Sequence, residues 1–242
     1  MKKGASRALL KLLSKKTGKA RRKAAEKKFS VLSSPARKAM FEFLCAHPCA
    51  GASRVARGAG VSIPTAQWHL AKMARAGYII SRKEKSLVFF YAPNLLFDDD
   101  AGMFMFFSKR ERAAVYIGIC RLEGSTAGEL ASAMKIPQAA ARAAIAGLSR
   151  LGLVSEIRDG RSKRYYPTAL LEERSRQARK NWKAMQNWLV RKLAEERLSP
   201  KVVRSAPGET VIELRAGARV VEVKMVTDPY SADMLERSIT QQ

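Results

Sequence analysis

Apolar positions in this chain first follow a helical period, then a strand period, and the whole series then repeats. Ser34 followed by Pro35 predicts a helix start, and Ala39, Met40, Phe43 and Leu44 continue it as a stripe that ends at His47-Pro48. A short helix over 53–59 stops at Gly60. Ser62 caps a third, with Pro64 in its first turn and Gly77 as its C-terminal punctuation. YIISRKEKSLVFFYAP (78–93) then reads as strand, basic turn, strand. Sliding the chain by 75 residues lays LSSPARKAMFEFLCAH (32–47) over FSKRERAAVYIGICRL (107–122), Cys45 onto Cys120, Gly77 onto Gly152 and Tyr91 onto Tyr166. The second series predicts helices at 109–122, 127–133 and from about 137 to Gly152, then a hairpin turning at Asp159-Gly160.

Beyond the repeat, 168–198 reads as one long helix. Leu171, Ala178, Trp182, Met185, Leu189 and Leu193 form its stripe, and charges of both signs fill the other positions. The stripe either folds back on the repeats or meets a second copy of itself. Trp182, Met185 and Leu189 are the expected anchors of a homodimer. Residues 202–226 alternate apolar and polar around Ala216-Gly217, which predicts a small hairpin or sheet suited to association. Asp98, Asp99 and Asp100 mark the joint between copies as an acidic helix start or solvated linker, and MFMFF (103–107) beside them predicts inter-domain packing.

The expected architecture is mainly α with small β wings (α+β). It comprises a basic arm (1–28), two tandem winged helix-turn-helix domains (29–97 and 98–168), a long amphipathic helix (169–199) and a β element with tail (200–242). TAQWHLAKMARAGYIISR (65–82) resembles the recognition helix and first wing strand of ArsR/MarR-type regulators, through the His69-Leu70 pair, apolar Met73 and the Ala76-Gly77-Tyr78 ending. Tandem copies on one chain resemble archaeal two-winged-helix regulators and chromatin-associated factors, over roughly 29–168. That resemblance implies a third helix in the major groove, with the helix before it braced on the backbone.

Charge narrows the partner. The 242 residues hold 46 Lys+Arg against 21 Asp+Glu, a formal net charge of +25. Residues 1–28 contribute +11 of it, 29–97 +7, 98–168 +3 and 169–242 +4. Such a block of one sign predicts a flexible arm on a polyanion, here double-stranded DNA, with Lys15, Lys16, Lys19, Arg21, Arg22 and Lys23 on its phosphates. No apolar run reaches the ~18 residues of a membrane span, and Lys11 splits the one stretch that imitates a signal peptide. Three cysteines suit a reducing compartment. The expectation is therefore a cytoplasmic, nucleoid-associated protein without membrane attachment.

Within the first copy, Ile63, Ala66, Leu70 and Met73 should face the core. Thr65, Gln67, Trp68, Lys72 and Arg75 should face outward with groups that can meet base edges. The shifted positions in the second copy are Ala140, Ala143, Gly147 and Arg150, which leave Gln138 and Arg142 as nearby polar groups. That poor face predicts a second copy used for packing or backbone contact. Arg54 and Arg57 on the second helix are expected on phosphates, with Arg82, Lys83 and Lys85 of the first wing and Arg158, Arg161, Lys163 and Arg164 of the second. Cys45, His47 and Cys49 place three potential metal ligands within five residues. However, Cys45 shares its repeat position with Cys120, which predicts a small core site, so no metal and no cofactor are expected. No Ser-His-Asp order, P-loop, dinucleotide fingerprint or suggestive carboxylate pair occurs, so an enzyme is not expected. Two functions lead, a transcriptional regulator or a low-specificity nucleoid protein that coats or compacts DNA, and an RNA-binding or transcription-machinery adaptor is a third class that winged helices allow. The operator, effector and symmetry are not written in these residues.

Overall fold

The computed structural model describes residues 31–231 except 85, 98, 197, 217 and 218. Eight α-helices and three small antiparallel sheets lie within them. After a 3-10 turn at Val31–Ser33 come α1 (Pro35–Ala46), β1 (Ala50–Gly51), α2 (Ala52–Gly58), α3 (Ile63–Arg75), β2 (Ile80–Glu84) and β3 (Leu87–Tyr91). Helix α4 (Ala101–Phe107) bridges to α5 (Arg110–Arg121), α6 (Ala127–Met134), α7 (Gln138–Arg150), β4 (Val154–Asp159) and β5 (Ser162–Pro167). The chain closes with α8 (Leu170–Glu195), β6 (Lys201–Ala206), β7 (Glu209–Ala216) and β8 (Arg219–Val226).

The repeat is exact at the level of backbone. Helices α1, α2 and α3 begin at 35, 52 and 63, and α5, α6 and α7 at 110, 127 and 138, each 75 residues on. Gly77 (φ 73°) and Gly152 (φ 71°) leave the third helix of each unit in the left-handed region, where a Cβ would clash with the backbone. The pairing Ala50↔Phe90 that adds β1 to the first hairpin returns as a lone bridge, Ser125↔Tyr165, in the second. Even the last turns agree, since Arg75 and Arg150 each donate from Nε to the carbonyl four residues back at 3.3 Å. Two positions exchange glycine for a side chain held in left-handed backbone: Gly60 (φ 65°) corresponds to Lys135 (φ 54°), and Gly124 (φ 77°) to Cys49 (φ 58°).

Ser34 precedes α1 as expected but makes no side-chain cap bond, whereas the expected cap at Ser62 forms and a further one appears at Thr126. Ser62 Oγ accepts from Thr65 N at 3.3 Å and so caps α3, while Thr126 and Glu129 form a reciprocal capping box on α6. Ala66, Leu70 and Met73 of α3 are fully buried. Ile63, expected beside them, is 48 % exposed, at the first position of α3.

Two cores result. The first holds Met40, Phe41, Leu44, Val55, Leu70, Met73 and Tyr78 from the first unit. The second holds Val115, Ile119, Leu130, Ile145, Leu148 and Leu153 from the second unit, together with Met103, Phe104, Met105 and Phe107 of α4. The expected packing role of the MFMFF run thus has a definite place. Helix α8 belongs to both cores: Leu171 and Ala178 seal the second, and Met185, Leu189 and Leu193 seal the first. Burying side chains of this size contributes about 1.5–3 kcal/mol each. Met185 and Leu189 are therefore interior residues of this chain, which corrects their assignment to a dimer interface. Trp182 is half-buried, with Lys183 Nζ 5.7 Å from its ring centre.

The C-terminal β element is a three-stranded sheet in the order β6-β7-β8, one strand more than a hairpin. Ile212, Leu214, Val223 and Met225 project into the first core, and Lys224 N donates to Glu42 Oε1 of α1 at 2.8 Å. Its bulge at Val203, between Val202 and Arg204, interrupts the ladder of the outer strand. The segment after β8 locks onto the joint between units. The Tyr230 hydroxyl donates to Asp100 Oδ2 at 2.9 Å and accepts from Phe97 N at 3.1 Å. Asp228, 2 % exposed, accepts from Ser175 Oγ and Arg179 Nε. Asp100 stands at the start of α4, as the expected acidic helix start had it, but its side chain is buried against Tyr230 and Arg174, which corrects the alternative of a solvated linker. Among the described residues no helix is long and apolar enough to cross a membrane.

Candidate nucleic-acid interface

Helix α3 has one buried face and one open one, and the open face carries the chemistry. Thr65, Gln67, Trp68, Lys72 and Arg75 are all exposed. Trp68 is 57 % exposed, an unusual cost for so large an apolar ring. Lys72 Nζ stands 5.2 Å from the centre of that ring, which holds the ammonium at a defined place on the face. The Thr65 hydroxyl lies 2.7 Å from Ser62 Oγ, so the cap orients it. His69 sits edge-on to Trp68 at 4.8 Å. Burial first, and then Arg37 and Lys72, push its pKa below the usual value, so the imidazole favours its neutral form.

The elements before and after α3 also carry cations. Arg57 of α2 is exposed, and Arg54 is half-buried with its pKa lowered by burial and by Arg57. Strand β2 is exposed at every position, which leaves Arg82 and Lys83 free to reach outward beside Glu84. Opposite them Leu87 and Val88 are also exposed, an apolar hairpin tip that alternation alone did not reveal. Lys85 and the arm residues Lys15, Lys16, Lys19, Arg21, Arg22 and Lys23 lie outside the described residues.

The second unit is different on the same scaffold. Gln138 and Arg142 are exposed on α7, and Ala143 beside them offers no polar group. Gly147, the counterpart of Lys72, is buried: a Cβ there would come within 2.2 Å of the Phe106 ring. The Arg112 guanidinium lies over the same ring at 4.6 Å. Helix α4 thus covers the position at which the first unit carries its cation. In the second hairpin Lys163 pairs with Glu156 at 2.7 Å, and Arg164 pairs with Asp159 and donates to Gly124 O at 2.9 Å. Arg158 and Arg161 remain exposed. Exposed pairs such as these are worth about 0–1 kcal/mol, so phosphates can displace them.

No model of a known protein family matches the chain, and no curated protein matches it. Function must therefore be argued from side chains.

The cysteines do not form a centre. Cys45 and Cys49 are buried, and burial raises both thiols, Cys49 to about 12, which disfavours the thiolate a metal needs. Among the described residues no group of three or more His, Cys, Asp or Glu is placed to hold a metal ion. Cys120 is exposed, so the repeat position shared with Cys45 is not a common core site. Its helix turns that position to solvent at the C-terminal end of α5, while Cys45 lies beneath α8 and the C-terminal sheet.

Proposed function

We propose that the protein binds double-stranded DNA as a transcriptional regulator, with the first unit as its reader. Three helices followed by a hairpin is the order of a winged helix-turn-helix, in which the third helix enters the major groove. The observation that carries the proposal is the open face of α3, where Gln67 and Lys72 beside Trp68 present hydrogen-bonding and cationic groups above a fully buried Ala66–Leu70–Met73 face. Gln matches the adenine edge and Lys the guanine edge. The exposure of Arg57, Arg82 and Lys83 supports phosphate contacts by these residues, to which the basic arm adds sequence-independent attraction.

Binding of the full chain to a selected duplex, measured against random duplex at fixed salt, tests the proposal. A regulator should prefer its site by roughly 10³-fold or more. Near-equal affinities would transfer the function to DNA coating or compaction, which the covered face of α7 favours. Indifference to any duplex at low ionic strength would overturn both.

A further inference from the structure

Helix α8 has a second surface, opposite the one that seals the cores. Between Glu173 and Glu195 it contains no acidic residue but seven cations: Arg174, Arg176, Arg179, Lys180, Lys183, Arg191 and Lys192. The acids predicted to alternate with them sit only at the two ends. Arg174 and Arg179 turn toward Asp100 and Asp228, and Lys192 lies between Glu195 and the Tyr78 ring. Arg176, Lys180, Lys183 and Arg191 remain, all exposed, with exposed Asn187 completing the series. Their spacing of three and four residues puts them on one arc of about 80°, roughly opposite the arc of Met185 and Leu189.

Like charges one turn apart repel and weaken a helix, and solubility alone is served by mixed signs. The folded chain sustains this repulsion in the absence of a partner, and a polyanion would relieve it. The row extends over about 22 Å at 1.5 Å per residue, a length along which one DNA strand presents about six phosphates.

Resting on the duplex-binding function proposed above, we infer that the outer face of α8 is a second phosphate-contacting surface, separate from the α3 reader. It carries no base-reading chemistry beyond Asn187, so it adds affinity without adding preference.

The full chain carrying R176Q, K180Q, K183Q and R191Q tests this by titration of a 30-base-pair duplex across a salt series. The plot of log K against log salt should become shallower by about three to four, as expected for four lost counterion-releasing contacts. The ratio of specific to random affinity should stay constant. The melting temperature at low salt should hold or rise, because the repulsion is gone. An unchanged slope in a protein that binds duplex overturns the α8 surface and leaves the α3 reader standing. An unchanged slope together with lost binding to phosphatidylserine vesicles overturns it in favour of a membrane surface. Failure of the unaltered chain to bind duplex defeats the function itself.

Discussion

The two units share a backbone and differ in what they leave open. At the position of Lys72 the first unit presents an ammonium held against Trp68, and the second has Gly147 pressed against Phe106. His69 becomes Ala144 and Trp68 becomes Ala143. At two of these positions the second core dictates the small residue, because Ala144 belongs to it and Gly147 lies under the Phe106 ring, whereas Ala143 is exposed. Duplication supplied two equal scaffolds, and side chains on a single helical face, together with the interposed α4, set their separate uses. A scaffold and its surface are separable choices.

The largest effect is expected where α8 seals the first core. Leu189→Ala should cost about 3 kcal/mol and lower the melting temperature by about 6–12 °C. Sedimentation should show the same oligomeric state as the parent; a loss of oligomer with little change in melting would restore the interface role. Next comes the reader itself. Gln67→Ala with Lys72→Ala should weaken a specific duplex by about 10- to 100-fold, whereas Arg142→Ala should change it several-fold at most. A larger loss from Arg142→Ala would exchange the roles of the two units.

The closed face can be forced. Gly147→Ala sets a methyl against the Phe106 ring and should cost about 1–3 kcal/mol by overpacking, read as a lower denaturation midpoint. A neutral result would mean that α4 packs loosely there. The histidine gives a pH signature that the second unit lacks. Because the folded pKa of His69 lies below its unfolded value, the unfolded chain binds the proton more readily. Stability should be full above about pH 6.5 and fall as pH drops below it, and His69→Ala, the residue native at 144, should flatten that fall in chemical denaturation. The smallest effect is at the strained turn. Lys135→Gly, matching Gly60, should stabilise the second unit by a few tenths to about 1 kcal/mol, as relief of left-handed strain outweighs added unfolded-state freedom.

Much of this architecture is legible in local chemistry. The cap at Ser62, left-handed Gly77 and Gly152 and the Asp159-Gly160 turn act within a few residues, so spacing alone locates them. What spacing does not contain is which surface finds a cover. The stripe of α8 suits an intermolecular and an intramolecular partner equally, and only the arrival of β7 and β8 on the first core decides between them. Ile63 obeys the period of the buried face and still faces water at the first position of α3. The buried Asp100–Tyr230 bond joins residues 130 apart and leaves no local trace. The acid-free run of α8 was visible all along as a composition, but its meaning depends on knowing which arc the cores already occupy.

Duplication alone would have produced beads on a string. Helix α8, clamped at one end by Leu171 and Ala178 and at the other by Met185, Leu189 and Leu193, turns the pair into a truss. With one helix shared between both cores, the protein should melt in a single cooperative step despite its two repeats.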